Sequence, residues 1–66
     1  MTYQEAKEAL KSRVRVSTGG IIYKHINAII FRKTDKIELI QLELQDRKAN
    51  SVKIARINDV EVYKET

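Results

Sequence analysis

Among the residues of this chain that could do chemistry, the arginines and lysines have the most informative spacing. Arg13 and Arg15 flank Val14, and Lys24, Arg32, Lys33 and Lys36 follow within the next apolar run and its turn. If Val14 and Val16 face a core, Arg13 and Arg15 leave the strand on its opposite side, because side chains alternate across a strand. A row of cations on neighbouring strands attracts phosphate oxygens and makes any resulting affinity sensitive to salt. Tyr23 and Phe31 could stack on bases wherever they face outward. The competing reading for both rings is core packing or docking of a helix, where a large aromatic gains most from burial. For the cations the competing reading is an ordinary solvated surface.

Catalysis has less to stand on. The single histidine is His25, and the hydroxyls of Ser12, Ser17, Thr18 and Ser51 fall at turns or strand edges. No nucleophile, base and orienting group can be assembled from that spacing, so no catalytic residue is expected. Glu43 with Asp46, and Asp59 with Glu61, are carboxylate pairs beside basic neighbours, the usual make-up of a solvated face. With no cysteine and one histidine, no metal site is expected, and no cofactor. The string STGG lacks the following Lys-Ser/Thr of a phosphate loop and reads as a turn. His25 reads as a structural polar residue near a bend.

The chain has 66 residues and a formal charge of +4, which predicts one small domain over 1–66 with a limited core. The charge is regional. From Lys7 to Lys36 eight cations stand against Glu8 and Asp35, whereas from Ile37 onward the acids outnumber the bases by one. The opening MTYQEAKEAL carries Glu5, Lys7 and Glu8 where a signal peptide needs an apolar run, and no segment has the length of a membrane span. With no disulfide framework, a cytoplasmic protein without a membrane partner is expected.

The elements that would position these residues follow from periodicity. Thr2 and Glu5 have the spacing of a capping box, and Tyr3, Ala6, Ala9 and Leu10 share a stripe, predicting a helix over about 3–12. Val14 and Val16 alternate with polar neighbours, and Gly19-Gly20 supplies a tight hairpin turn. The run from Ile21 to Lys33 is long, and its apolar residues change parity, so a bend or bulge is predicted near His25 to Asn27. Strands over Ile37–Gln45, around Val52 and Ile54, and at Val60 and Val62 follow, with a 3₁₀ turn at Asn58 and Asp59. The expected core is Leu10, Val14, Val16, Ile22, Ile26, Ile30, Ile40, Leu42, Leu44, Val52, Ile54, Ile57, Val60 and Val62.

A helix followed by five strands, a long bent second strand and the ending VKIARINDVEVY resemble the small SH3-like barrels, and the Sm-like variant most closely. The glycines of the Sm second strand have no counterparts in IIYKHINAIIF. The resemblance implies an α+β, mainly β fold: an N-terminal helix capping a five-stranded SH3-like or Sm-like barrel over about 13–64. The string INAIIFRKTDKIELIQLELQDRKANSVKIARINDVEVY also resembles short proteins carried by prophages and conjugative elements of Gram-positive bacteria, a resemblance that brings no activity with it.

The expected function is a non-enzymatic binder: a nucleic-acid-binding or regulatory accessory protein of a mobile element, with RNA or DNA held by Arg13, Arg15, Lys24, Arg32, Lys33 and Lys36. The alternative is a protein-interaction or inhibitor module. Ile21, Tyr23, Ile29, Phe31 and Leu39 would then meet a protein partner, or close a homodimer or higher homo-oligomer.

Overall fold

Two side chains start the N-terminal helix, α1 (Tyr3–Ser12). The Glu5 N–H donates to Thr2 Oγ1 at 3.1 Å and the Thr2 N–H donates to Glu5 Oε1 at 2.8 Å, satisfying two donors that a helix start leaves open. The bond from the Thr2 N–H, followed by one from the Thr2 hydroxyl, holds the Glu5 carboxyl below its ordinary pKa. Ala6 and Ala9 are the buried residues of the helix, and their small side chains let it lie close on the sheet beneath. The helix ends at Arg13, which takes a left-handed φ of 57° while its N–H donates to Ala9 O at 3.0 Å. That conformation costs a non-glycine residue about 1 kcal/mol. Arg13→Gly is therefore expected to stabilise the fold by about that amount, seen as a raised melting temperature. An unchanged or lowered value would mean that the Arg13 side chain contributes packing that offsets its strain.

The computed structural model describes residues 1–64; the last two positions of the domain expected over 1–66 lie outside that range. Among the described residues the chain is α+β and mainly β, with α1 followed by six strands in two three-stranded sheets. The strands are β1 (Val16–Thr18), β2 (Ile21–Tyr23), β3 (His25–Lys33), β4 (Glu38–Gln45), β5 (Val52–Arg56) and β6 (Glu61–Val62), with a 3₁₀ turn at Ile57–Asp59. One sheet runs β2-β1-β6 and the other β3-β4-β5. The extra strand relative to the expected five arises because the long run from Ile21 is divided at Lys24, and its two parts pair in different sheets.

Gly19 and Gly20, at φ 58° and 77°, close the two-residue hairpin between β1 and β2. Two successive positive φ values match the right-handed twist of the strands they join. The predicted bulge lies at Asn27: pairing slips between Ile26 and Ala28, and Asn27 Nδ2 donates to Gln45 Oε1 at 2.9 Å. This extra residue resolves the two-sided isoleucines, because it moves Ile29 and Phe31 onto the face that Ile26 began. Phe31 then meets Tyr3 of the helix edge-on, with ring centroids 5.6 Å apart.

The core lies between that face, the helix and the small sheet. Val16, Ile26, Leu42, Leu44 and Val60 are fully buried, joined by Ala6, Ala9, Tyr23 and Ile57. Each large side chain of this set contributes roughly 1.5–3 kcal/mol by leaving water. Three residues expected inside are exposed instead. Val14 precedes β1 in the stretch that follows the helix cap, while Val52 and Ile54 lie on the outward face of β5. Ile30 is likewise turned to that outer face by the bulge. The Met1 ammonium donates to both Ile57 O and Val60 O at 2.9 Å, tying the first residue to the 3₁₀ turn.

Candidate nucleic-acid interface

The six cations singled out by spacing lie toward two ends of the molecule. Arg13 caps the helix and Arg15 directly precedes β1, its carbonyl accepting from the Tyr63 N–H at 2.9 Å. Val16 pairs with Tyr23 as the last pair of the hairpin, and beyond it Lys24 turns to the other sheet. At the far end of β3 are Arg32 and Lys33, and Lys36 follows in the turn of residues 34–37. Nine residues of β3 separate Lys24 from that tip, roughly 30 Å of extended chain. The six therefore do not form one patch. Lys33 Nζ lies 3.5 Å from Glu38 Oε1 in a pair that is almost wholly solvated, an arrangement of small energetic value.

Lys24 has closer cationic company. Its N–H donates to Gln45 O at 2.8 Å, which sets it against the turn that follows β4. That turn brings Arg47 and Lys48 to the rim of a cavity of about 340 Å³, lined also by Lys24, His25 and Asn50. The turn is built by Asp46, whose Oδ1 accepts from the N–H groups of Lys48 at 2.8 Å and Ala49 at 3.0 Å. Gln45 Nε2 adds bonds to Ala49 O and Ser51 O. The carboxylate at the cluster is thus engaged by backbone, while the three cationic side chains are exposed. An incoming anion meets a local excess of positive charge on a braced loop.

The N–H donors of Lys48 and then Ala49 hold the Asp46 carboxyl below the ordinary carboxylate range. A lowered folded-state pKa means that the charged form is favoured by folding. Its stabilisation is present above the unfolded-state value and is lost as pH falls through the folded one. The turn at 46–50 should loosen only in acid, below the ordinary aspartate range. The amide resonances of Lys48 and Ala49 should titrate together, with a midpoint below that of an unperturbed aspartate, and Asp46→Asn should abolish the titration. A midpoint at or above the ordinary value would contradict the bracing.

The aromatic and apolar residues singled out above are also divided. Tyr23 is 6% exposed and belongs to the core, so its ring is not available to a base or a partner; its pairing with buried Val16 turns it inward. Ile29 packs on the core for the reason given by the bulge, and Leu39 is half-buried. Ile21 and Phe31 are exposed, Phe31 to 64%. Phe31 stands with Arg32 and Lys33 around a cavity of about 530 Å³ at the β3-β4 tip.

Arg47 and Lys48 escaped the reading of charge along the chain, because they sit in a half whose acids outnumber its bases. The signal that finds them is the hairpin register. Pairing outward from the turn at 34–37, with one residue lost at the bulge, must set residue 24 beside residue 46. Among the described residues no helix is long and apolar enough to cross a membrane. Comparison with protein-family models, with curated proteins and with solved structures finds no match to this chain.

Proposed function

We propose that the protein is a non-enzymatic binder of nucleic acid that holds backbone phosphates at the end of the molecule formed by Lys24, Arg47 and Lys48. The observation that carries this reading is their convergence on one concave surface whose only carboxylate among the described residues, Asp46, accepts from backbone N–H groups at Oδ1. No aromatic ring lines that cavity. Contact there would be with phosphates and would carry little sequence preference. The helix, the bent run from Ile21 to Lys33 and the succession of short strands support an SH3-like or Sm-like barrel as the relevant fold.

The test is a heteronuclear NMR titration with a short single-stranded RNA and with a DNA duplex, each at low and near-physiological salt. Shifts confined to Lys24, His25, Arg47 and Lys48 that fade with salt are the expected result. Shifts centred on Phe31, Arg32 and Lys33 would move the site to the tip, where an exposed ring allows stacking. Silence with both ligands would overturn the reading and leave the protein-interaction or inhibitor module, which the exposed Phe31 and Ile37 favour.

A further inference from the structure

The sheet β3-β4-β5 has two faces, and among the described residues only one faces the core, the outer one being half-buried at Ala28, Ile30, Gln41 and Glu43. Ile26, Ile29, Leu42 and Leu44 pack inward. On the outward face the register aligns Ala28 with Glu43 and Ile54, and Ile30 with Gln41 and Arg56. Val52 and Ile54 there are 46% and 41% exposed.

We propose that two copies of this chain pair face to face through the outer surface of β3-β4-β5, with Ile30, Val52 and Ile54 at the contact and Glu43 of each copy against Arg56 of the other. The charge arrangement selects a second copy as the occupant. Glu43 lies on the central strand, and Arg56 lies one row away on β5. A two-fold axis lying in the interface and crossing β4 and β5 diagonally, midway between Glu43 and Arg56, sets each Glu43 over the partner's Arg56 and brings Ile54 close to its own symmetry mate. The same patch then complements itself, as an isologous interface requires. Its cations are arginines, the charged type that interfaces favour over lysine. A phosphate ligand would instead meet Glu43 at the centre of the face. The pairing stands independently of the nucleic-acid reading, whose cations lie in the turns at the end of this sheet.

Sedimentation velocity across a concentration series tests it. The mass should rise from 7.7 kDa toward twice that value, and Ile54→Glu should hold the chain at the monomer mass with its circular dichroism unchanged. Glu43→Arg and Arg56→Glu should each weaken the dimer at least tenfold, and their combination should restore it. A wild-type chain that stays monomeric at millimolar concentration overturns the proposal, as does a dimer indifferent to Ile54→Glu. Should Ile54→Glu fail to fold, a half-labelled mixture of the wild type decides. Intermolecular NOEs between the Ile30 and Ile54 methyls support the pairing, and a species of doubled mass without them overturns it.

Discussion

Leu42→Ala is expected to remove a large share of the stability of the fold, about 2–5 kcal/mol. Leu42 is fully buried on the central strand of the larger sheet, paired with Ile29 on one side and Ala55 on the other. Truncation there removes three carbons and leaves a cavity that neighbours on a paired strand cannot fill, which costs about 2–5 kcal/mol. A domain of 66 residues has only about 3–10 kcal/mol to lose. The outward Ile54, on the neighbouring strand, provides the comparison: its truncation should cost under about 1 kcal/mol in the dilute monomer, since its side chain is already 41% exposed. Urea denaturation of both variants measures the difference. Equal shifts in midpoint would mean that the two faces of the sheet have been assigned the wrong way round.

The second large effect is on binding. If Lys24, Arg47 and Lys48 each neutralise one phosphate, log K should fall against log salt with a slope of roughly −2 to −3. Between 50 and 200 mM salt the affinity should drop about 20- to 40-fold. Reversing all three charges to Glu should flatten that slope and lower affinity on the order of 10²-fold at the lower salt. Reversing Lys33 and Lys36 at the other end should do far less, and Phe31→Ala should change nothing if the rings take no part. All three cations are exposed, so fold stability should barely move. An unaltered slope in the triple variant would remove these residues from the site, and equal losses from the Lys33 and Lys36 pair would show that both ends touch the ligand.

What could be read from residues alone was what the chain settles locally. Thr2 with Glu5, and Gly19 with Gly20, declare the helix start and the hairpin because the interactions responsible span at most three residues. The bulge was legible as a change of parity, and it falls at Asn27, inside the predicted stretch. Which isoleucines it would turn inward was not legible. A shift of one residue decides between Ile29 and Ile30, and parity counting is blind to where the shift occurs. Val52 and Ile54 alternate as a buried strand would, but alternation cannot say which face the helix covers. The six named cations could not be placed at opposite ends without knowing that β3 runs unbroken between them. Arg47 and Lys48 join Lys24 only through pairing that crosses more than twenty positions.

The bonds from the Met1 ammonium bear on how this chain folds as it is made. They join positions 56 and 59 apart in sequence, and β6, which completes the small sheet against β1, is made after the other five strands. The helix leaves the ribosome before the strands it packs on, yet at ten residues it is too short to persist alone. Its sheet arrives later, and the carbonyls that anchor its leading end arrive only with Ile57 and Val60. Nothing in this arrangement lets the first half settle while the second half is still inside the exit tunnel. The nascent chain should stay open to proteases and chaperones until almost the whole domain has emerged, and then close in a single step.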